Sequence, residues 1–192
     1  MKYNPDIHNR KSIRLAGYDY STPGAYFITI CTHQRELLLG NVRNSIMELN
    51  EFGRIARDEW MKTSEMRSNI KLDEFVIMPN HVHGIIIIDD INDDRGETDG
   101  CRGTMHRAPT EPNKTTNTIQ TIEQFGKPTS NTIPTIIRGY KSSVTKQIKI
   151  LNENPRLRIW QRNYYEHIIR DDQAYYRIRE YIRNNPMKWI HD

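Results

Sequence analysis

Residues 75–90 read FVIMPNHVHGIIIIDD. Two apolar, β-branched runs flank Pro79-Asn80, a dipeptide that turns a chain. The pattern predicts an antiparallel hairpin with NIKLDEFVIM and HVHGIIIIDD as its arms. On a strand, residues two apart project from the same face. His81 and His83 therefore stand side by side, with Val82 turned to the other face. Two neutral imidazoles so placed can hold a divalent cation, given a third ligand. Two ordinary half-exposed strand histidines satisfy the same spacing, which does not decide between the two readings.

Outward from the hairpin, AYFITICTHQ predicts a strand at 25–33. RELLLGNVRNSIMELN reads as two short strands joined by a Gly40-Asn41 turn. Phe52, Ile55, Ala56 and Trp60 recur at helical spacing over 50–67, with Asn50 as N-cap. Ile137, Tyr140, Val144 and Ile148 do the same over 134–152, and Pro134 suits a first helical turn. RIWQRNYYEHIIR is strand-like. DDQAYYRIREYIRNNP reads as a helix capped by Asp171 or Asp172 and stopped by Asn185-Pro186. This order predicts an α+β sandwich, an antiparallel sheet with helices on one face. The chain reads as a single domain over 1–192, with an extended basic arm at 1–24 and an insertion at 89–133 rich in Thr, Asn, Asp, Gly and Pro.

Composition narrows the function classes. The chain is polar, with 36% apolar and 27% charged residues, a net charge of +4, a pI of 9.0 and a mean hydropathy of -0.79. A basic balance favours a polyanionic partner. Cys31 and Cys101 stand in no ligand spacing and read as reduced thiols. The N-terminal stretch has no apolar core of a signal peptide, and no apolar run approaches the roughly 20 residues of a bilayer span. The expectation is a cytoplasmic, nucleoid-associated protein without membrane contact. No GxxxxGK[ST] occurs, which speaks against a nucleotide cofactor.

The last predicted helix offers partners for the histidines. Tyr181 and Asn185 lie four apart, on one helical face. An Asn carbonyl suits a hard cation, and a Tyr hydroxyl can act as a nucleophile. A core aromatic followed by a helix stop explains the same two residues. Tyr164, Tyr165, Tyr175 and Tyr176 lie nearby, and spacing does not rank the five.

VIMPNHVHGI together with IWQRNYYEHIIRDDQAYYRIREYIRNNPMKW resembles the REP-associated tyrosine transposases, members of the HUH single-strand transposase superfamily. RLAGYDYSTPGAYFITICTHQR and EQFGKPTSNTIPTIIRGYKSSVTK share the likeness, which covers the chain except 90–116. The resemblance implies a ferredoxin-like or RRM-like sandwich. It implies that His81 and His83 bind Mg²⁺ or Mn²⁺, that Asn185 completes the metal site, and that Tyr181 is the nucleophile. The implied activity is metal-dependent cleavage and strand transfer of single-stranded, hairpin-forming DNA through a 5′-phosphotyrosine. The alternative is a hairpin-DNA binder of the same fold that has lost turnover. Oligomeric state is open between monomer and dimer, with the monomer preferred.

Residues 134–192 carry 12 Lys/Arg against 6 Asp/Glu, so the positive excess sits there. Arg138, Lys141, Lys146, Arg162, Arg177 and Arg183 are candidate phosphate contacts, interleaved with aromatic residues that can stack on bases. Arg10, Lys11 and Arg14 of the basic arm are further candidates. No general base for Tyr181 is legible; His167 is the nearest in sequence.

Overall fold

The computed structural model describes residues 18–90 and 131–189. In chain order the elements are β1 (Gly24–Cys31), β2 (Gly40–Arg43), β3 (Ile46–Leu49), α1 (Glu51–Glu65), β4 (Ile70–Met78), β5 (His81–Ile88), α2 (Ile133–Leu151), β6 (Tyr165–Ile169) and α3 (Asp172–Arg183). The predicted hairpin is β4–β5, turned by Pro79 and Asn80. It lies inside a four-stranded sheet of order β4-β5-β1-β6, antiparallel throughout. Leaving out the small β2–β3 hairpin, the path β1-α1-β4-β5-α2-β6 is the ferredoxin-like arrangement. α3 follows as an addition.

Period-two alternation sorts the side chains to two cores. Tyr26, Ile28 and Ile30 of β1, Val82, Ile86 and Ile88 of β5 and Ile168 of β6 pack against Ala56 and Trp60 of α1 and Ile137, Tyr140 and Val144 of α2. The opposite parity, Ala25, Ile85 and Ile169, packs against Ala174, Tyr175 and Ile182 of α3. The expectation of helices on one face is thus corrected: α1 and α2 cover one face and α3 the other. The apolar run Ile85–Ile88 reflects this, since a strand covered on both sides has no polar face. Each fully buried Ile contributes about 1.5–3 kcal/mol.

The caps follow the sequence. Asn50 Oδ1 accepts from Gly53 N, and Asp171 Oδ1 accepts from Ala174 N at 2.7 Å. Three boundaries differ from expectation. The short hairpin turns at Asn44-Ser45, both left-handed (φ 50° and 63°), and not at Gly40-Asn41, which lie in β2. Two left-handed residues match the twist of a two-residue hairpin, and Asn tolerates that conformation. Gly40 has φ 141°, and a Cβ there would meet Glu48 O at 2.1 Å. The strand predicted over 158–170 pairs only at Tyr165–Ile169, with one isolated bridge from Trp160 to Thr32. The insertion is shorter than 89–133: Asp89 is tied to Lys71 at 2.6 Å, and Ile133, fully buried, opens α2 under the Thr132 cap. Most of that insertion (91–130) and of the basic arm (1–17, with Arg10, Lys11 and Arg14) lies outside the described residues.

One irregularity bears on the site. Between Leu72 and Phe75, β4 carries a bulge, so that Asp73 and Glu74 occupy one pairing step opposite β5. Both carboxylates reach α3, where Asp73 accepts the Tyr175 hydroxyl and forms an ion pair with Arg179 (3.1 Å), and Glu74 accepts Arg183 (2.6 Å). Among the described residues no helix is long and apolar enough to cross a membrane.

Candidate active site

β5 is an inner strand, and its two histidines stand on the α3 face of the sheet. His83 is level with Thr29 on β1 and Val76 on β4, and His81 is level with Cys31 and Met78. Behind them on the other face, Gly84 leaves room for Trp60: a Cβ there would meet Trp60 Cζ2 at 2.3 Å. The alternation His-Val-His-Gly is therefore pinned on both faces, and a one-residue slip would bury both imidazoles against α1.

Each imidazole has its Nδ1 engaged. His83 Nδ1 meets Thr29 Oγ1 at 2.8 Å, and His81 Nδ1 meets Asn80 Oδ1 at 2.7 Å. Asn80 Oδ1 is an acceptor, so His81 Nδ1 donates and its Nε2 keeps a lone pair. Thr29 can accept in the same way from His83. Burial drives both pKa values down, to about 4 for His81 and about 3 for His83. The Arg35 charge lowers His81 further, against a hydrogen bond to the Asn185 side chain, and His81 lowers His83. Both rings are neutral at pH 7, the form that ligates a metal.

Geometry sets the five tyrosines in different surroundings. Tyr175 is buried on Asp73, with its pKa raised by burial and by that carboxylate. Tyr164 packs against the α1/α2 core, Tyr176 is 62% exposed beside Tyr175, and Tyr165 stands edge-on to Phe27. Tyr181, 42% exposed, brings its hydroxyl to 3.2 Å from His83 Nε2. Its ring stands edge-on to both Phe27 and His83. Asn185, just past α3, reaches His81. The helix is held in this register by Tyr175 and Ile182 in the core and by the bulge carboxylates.

Together these side chains line a cleft of about 350 Å³ whose walls are Thr29, Cys31, Arg35, His81, His83, Tyr181, Asn185, Lys188 and Trp189. The four residues expected at the site, His81, His83, Tyr181 and Asn185, thus share one cleft. Arg35, Lys188 and Trp189 were not expected there. Lys188 and Trp189 follow the Asn-Pro helix stop directly, so the end of α3 delivers them; nothing in the sequence around Arg35 marks it.

A divalent cation fits this donor set. His81 and His83 offer Nε2 lone pairs with the opposite nitrogens fixed by neighbours, and Asn185 adds a carbonyl oxygen. Among the described residues no group of three His, Cys, Asp or Glu could hold a metal. The protein donors are thus all neutral, so a dication here keeps its full charge, next to Arg35 and Lys188. An anionic ligand is what such a centre lacks.

The expected phosphate contacts are dispersed. Arg138 and Lys146 are exposed on α2, across the sheet from the histidines, and Arg162 and Arg177 are exposed. Lys141 donates to the carbonyls of Gln161 (2.6 Å) and Arg162 (3.1 Å), and burial lowers its pKa to about 8. Arg183 is engaged with Glu74. Exposed His167 lies level with Phe27 on β6, while the atom facing the Tyr181 hydroxyl is His83 Nε2.

No protein-family model matches the chain. An uncharacterized protein of Haemophilus influenzae Rd is 42% identical over 191 residues, spanning 100% of this chain and 96% of that protein. The chain belongs to the family of that protein. Among solved structures, a REP-associated tyrosine transposase bound to a REP hairpin superposes with a TM-score of 0.56 at 19% identity, over 93% of this chain and 74% of that one. That likeness is one of fold. A candidate transposase of Deinococcus radiodurans R1 superposes with a TM-score of 0.44 at 16% identity, over 91% of this chain and 97% of that one.

Proposed function

We propose that the chain is a metal-dependent, single-strand-specific DNA endonuclease and strand transferase that acts on hairpin-forming DNA, with Tyr181 as its nucleophile. The observation that carries this reading is the Tyr181 hydroxyl at 3.2 Å from His83 Nε2, in a cleft that also holds His81, Asn185, Arg35 and Lys188. The fold shared with a hairpin-bound tyrosine transposase supports it.

His81, His83 and Asn185 would hold Mg²⁺ or Mn²⁺, which supplies charge neutralisation and polarisation of the scissile phosphate. Arg35 and Lys188 draw the DNA backbone in, and the phosphate is the anion that the neutral donor set leaves wanting. Tyr181 Oη attacks phosphorus. The P–Oη bond forms as the P–O3′ bond breaks, leaving a 5′-phosphotyrosine and a free 3′-OH. The hydroxyl proton of Tyr181 passes to solvent, to which this half-exposed side chain is open, and the departing 3′-oxygen takes one up. Because the phosphodiester is exchanged for a phosphotyrosine ester, an incoming 3′-OH can reverse the step without a nucleotide cofactor. α3, tied to the β4 bulge, keeps the nucleophile within reach of the histidines.

The test is a covalent-adduct assay. Labelled single-stranded DNA carrying the palindromic repeats that flank the gene is incubated with protein and Mg²⁺ or Mn²⁺, then run on denaturing gels. A metal-dependent adduct is expected with the wild type and is lost in Tyr181→Phe and His81→Ala. An adduct that survives Tyr181→Phe refutes the nucleophile. Tight binding of the same DNA with no adduct would instead establish a binder that has lost turnover.

A further inference from the structure

Four rings that line the cleft touch in succession. Tyr181 lies 5.2 Å from His83 between ring centroids, His83 lies 4.5 Å from His81, and His81 lies 6.1 Å from Trp189. In this succession of contacts Tyr181 is the first ring and the Trp189 indole the last. Arg35 and Lys188 line the same cleft as Trp189, and Lys188 adjoins Trp189 in sequence.

Arg35 is placed there at a cost. Gln34 and Arg35 are consecutive non-glycine residues in the left-handed region, at φ 50° and 58°. Such residues persist where the surroundings enforce them, and they gather at functional sites. Here the enforcement is Thr32, fully buried, whose hydroxyl contacts the carbonyls of Glu36 (2.8 Å) and Asn80 (3.0 Å). His33 N adds a bond to Ile159 O at 2.8 Å. The loop that presents Arg35 is therefore fastened to the same Asn80 that orients His81.

Resting on the function proposed above, we infer that Trp189, Arg35 and Lys188 form a nucleotide subsite for the leaving strand, with the base 5′ of the cleaved bond stacked on the indole and its phosphate held by the two cations. The polarity follows from in-line displacement, in which the attacking and leaving oxygens lie on opposite sides of phosphorus. With phosphorus over the histidine pair and Tyr181 at one end, the 3′-oxygen departs toward the other. Stacking on an aromatic face accepts any base, so the subsite grips without selecting sequence. Its effect is to keep the free 3′-OH beside the phosphotyrosine, so that rejoining competes with loss of the strand.

The experiment separates this subsite from the nuclease reading. Strands carrying a palindromic repeat and single-stranded flanks receive 5-iododeoxyuridine at one flank position at a time. They are irradiated with Tyr181→Phe protein, which holds the strand uncut, and the crosslinked residue is identified by mass spectrometry. The cleaved bond in the same strands is mapped with the wild type. The expected result is a crosslink between Trp189 and the base immediately 5′ of the cleaved bond. Trp189→Ala abolishes that crosslink and lowers rejoining of the 3′-OH strand about 10-fold more than it lowers adduct formation. Trp189→Phe restores rejoining. An abasic site at that position costs the wild type the same factor and Trp189→Ala nothing further.

A crosslink to the base on the 3′ side reverses the polarity and overturns the inference, as does the absence of any crosslink at Trp189. No adduct with the wild type would refute the nuclease reading, and the leaving-strand assignment with it. A Trp189 crosslink in that case would show a base subsite in a DNA-binding protein.

Discussion

His83 Nε2 has two suitors, and it can serve only one at a time. Without metal it faces the Tyr181 hydroxyl at 3.2 Å. Under the proposed function the same lone pair ligates the cation. Loading the site must therefore break the Tyr181–His83 hydrogen bond, and removing that bond should strengthen metal binding. A typical hydrogen bond contributes about 0.5–1.5 kcal/mol net. Tyr181 is 42% exposed, so water competes for its hydroxyl and the lower half of that range applies. Tyr181→Phe keeps the ring against Phe27 and His83 and deletes only the hydroxyl. The expected outcome is a Kd for Mn²⁺ about 2–5-fold lower than wild type in DNA-free protein, while adduct formation is abolished. Calorimetric titration with Mn²⁺, checked by the loss of the free-ion electron paramagnetic resonance signal, measures it. An unchanged Kd would mean that the cation does not use His83 Nε2. A Kd raised by about 10-fold or more would make Tyr181 itself a ligand, and either result refutes the competition.

Thr29→Val removes the partner of His83 Nδ1 and should weaken Mn²⁺ binding by about 10–100-fold in the same titration, with little change in fold. Gly84→Ala drives a methyl into Trp60 and should destabilise the protein by about 1–3 kcal/mol, read as a fall in the urea midpoint at unchanged m-value. The neutral histidines make metal-free stability pH-dependent. Their folded pKa values of about 4 and about 3 lie below the unfolded value near 6.5, so the unfolded chain binds more protons in between. The stability they confer is complete above pH 6.5 and is lost as pH falls toward 4 and then 3. Counting buried His83 in full and half of His81 for solvent screening, the loss between pH 7 and pH 5 is about 3 kcal/mol. Urea unfolding of chelator-treated protein should show it, and the His81→Gln/His83→Gln double variant should flatten the slope.

Local chemistry made much of this legible in the sequence. The hairpin was readable because Pro79-Asn80 interrupts two β-branched runs, and the helix starts because Asn50 and Asp171 are capping residues at the edge of apolar periodicity. His81 and His83 could be placed on one face from the strand period alone. Ranking Tyr181 over Tyr175 needed long-range facts. The Asp73 carboxylate that buries Tyr175 belongs to a strand 102 residues away in sequence, and it reaches α3 only because β4 bulges at Asp73-Glu74. No periodicity announces a bulge. The second covered face of the sheet was hidden for a related reason: α3 is amphipathic in either arrangement, and only the packing of Ala25, Ile85 and Ile169 shows which face it takes.

The charges show why counting cations along a chain is a weak guide to a nucleic-acid surface. The 134–192 segment is rich in Lys and Arg, yet Lys141 is spent on two backbone carbonyls and Arg183 on Glu74, both holding the fold together. Among the described residues, the cations that line the cleft with the histidines are Arg35 and Lys188. Arg35 comes from a loop with nothing in its composition to mark it, held in a left-handed turn by a buried threonine. A charge clamped to a carboxylate or a carbonyl is satisfied locally, whereas one that faces neutral metal-binding groups retains its attraction for an anion. Among the described residues, the positive charge of the cleft comes from two side chains that long-range packing delivers beside the histidine pair. Substituting both, Arg35→Gln with Lys188→Gln, should weaken single-stranded DNA binding and reduce the slope of log affinity against log salt by about 1.4, or about 0.7 for each phosphate that is no longer neutralised. The pair Arg138→Gln with Lys146→Gln, on the far face of the sheet, should change that slope little. A larger effect from the α2 pair would place the DNA across the other side of the sheet and refute the assignment of this cleft as its seat.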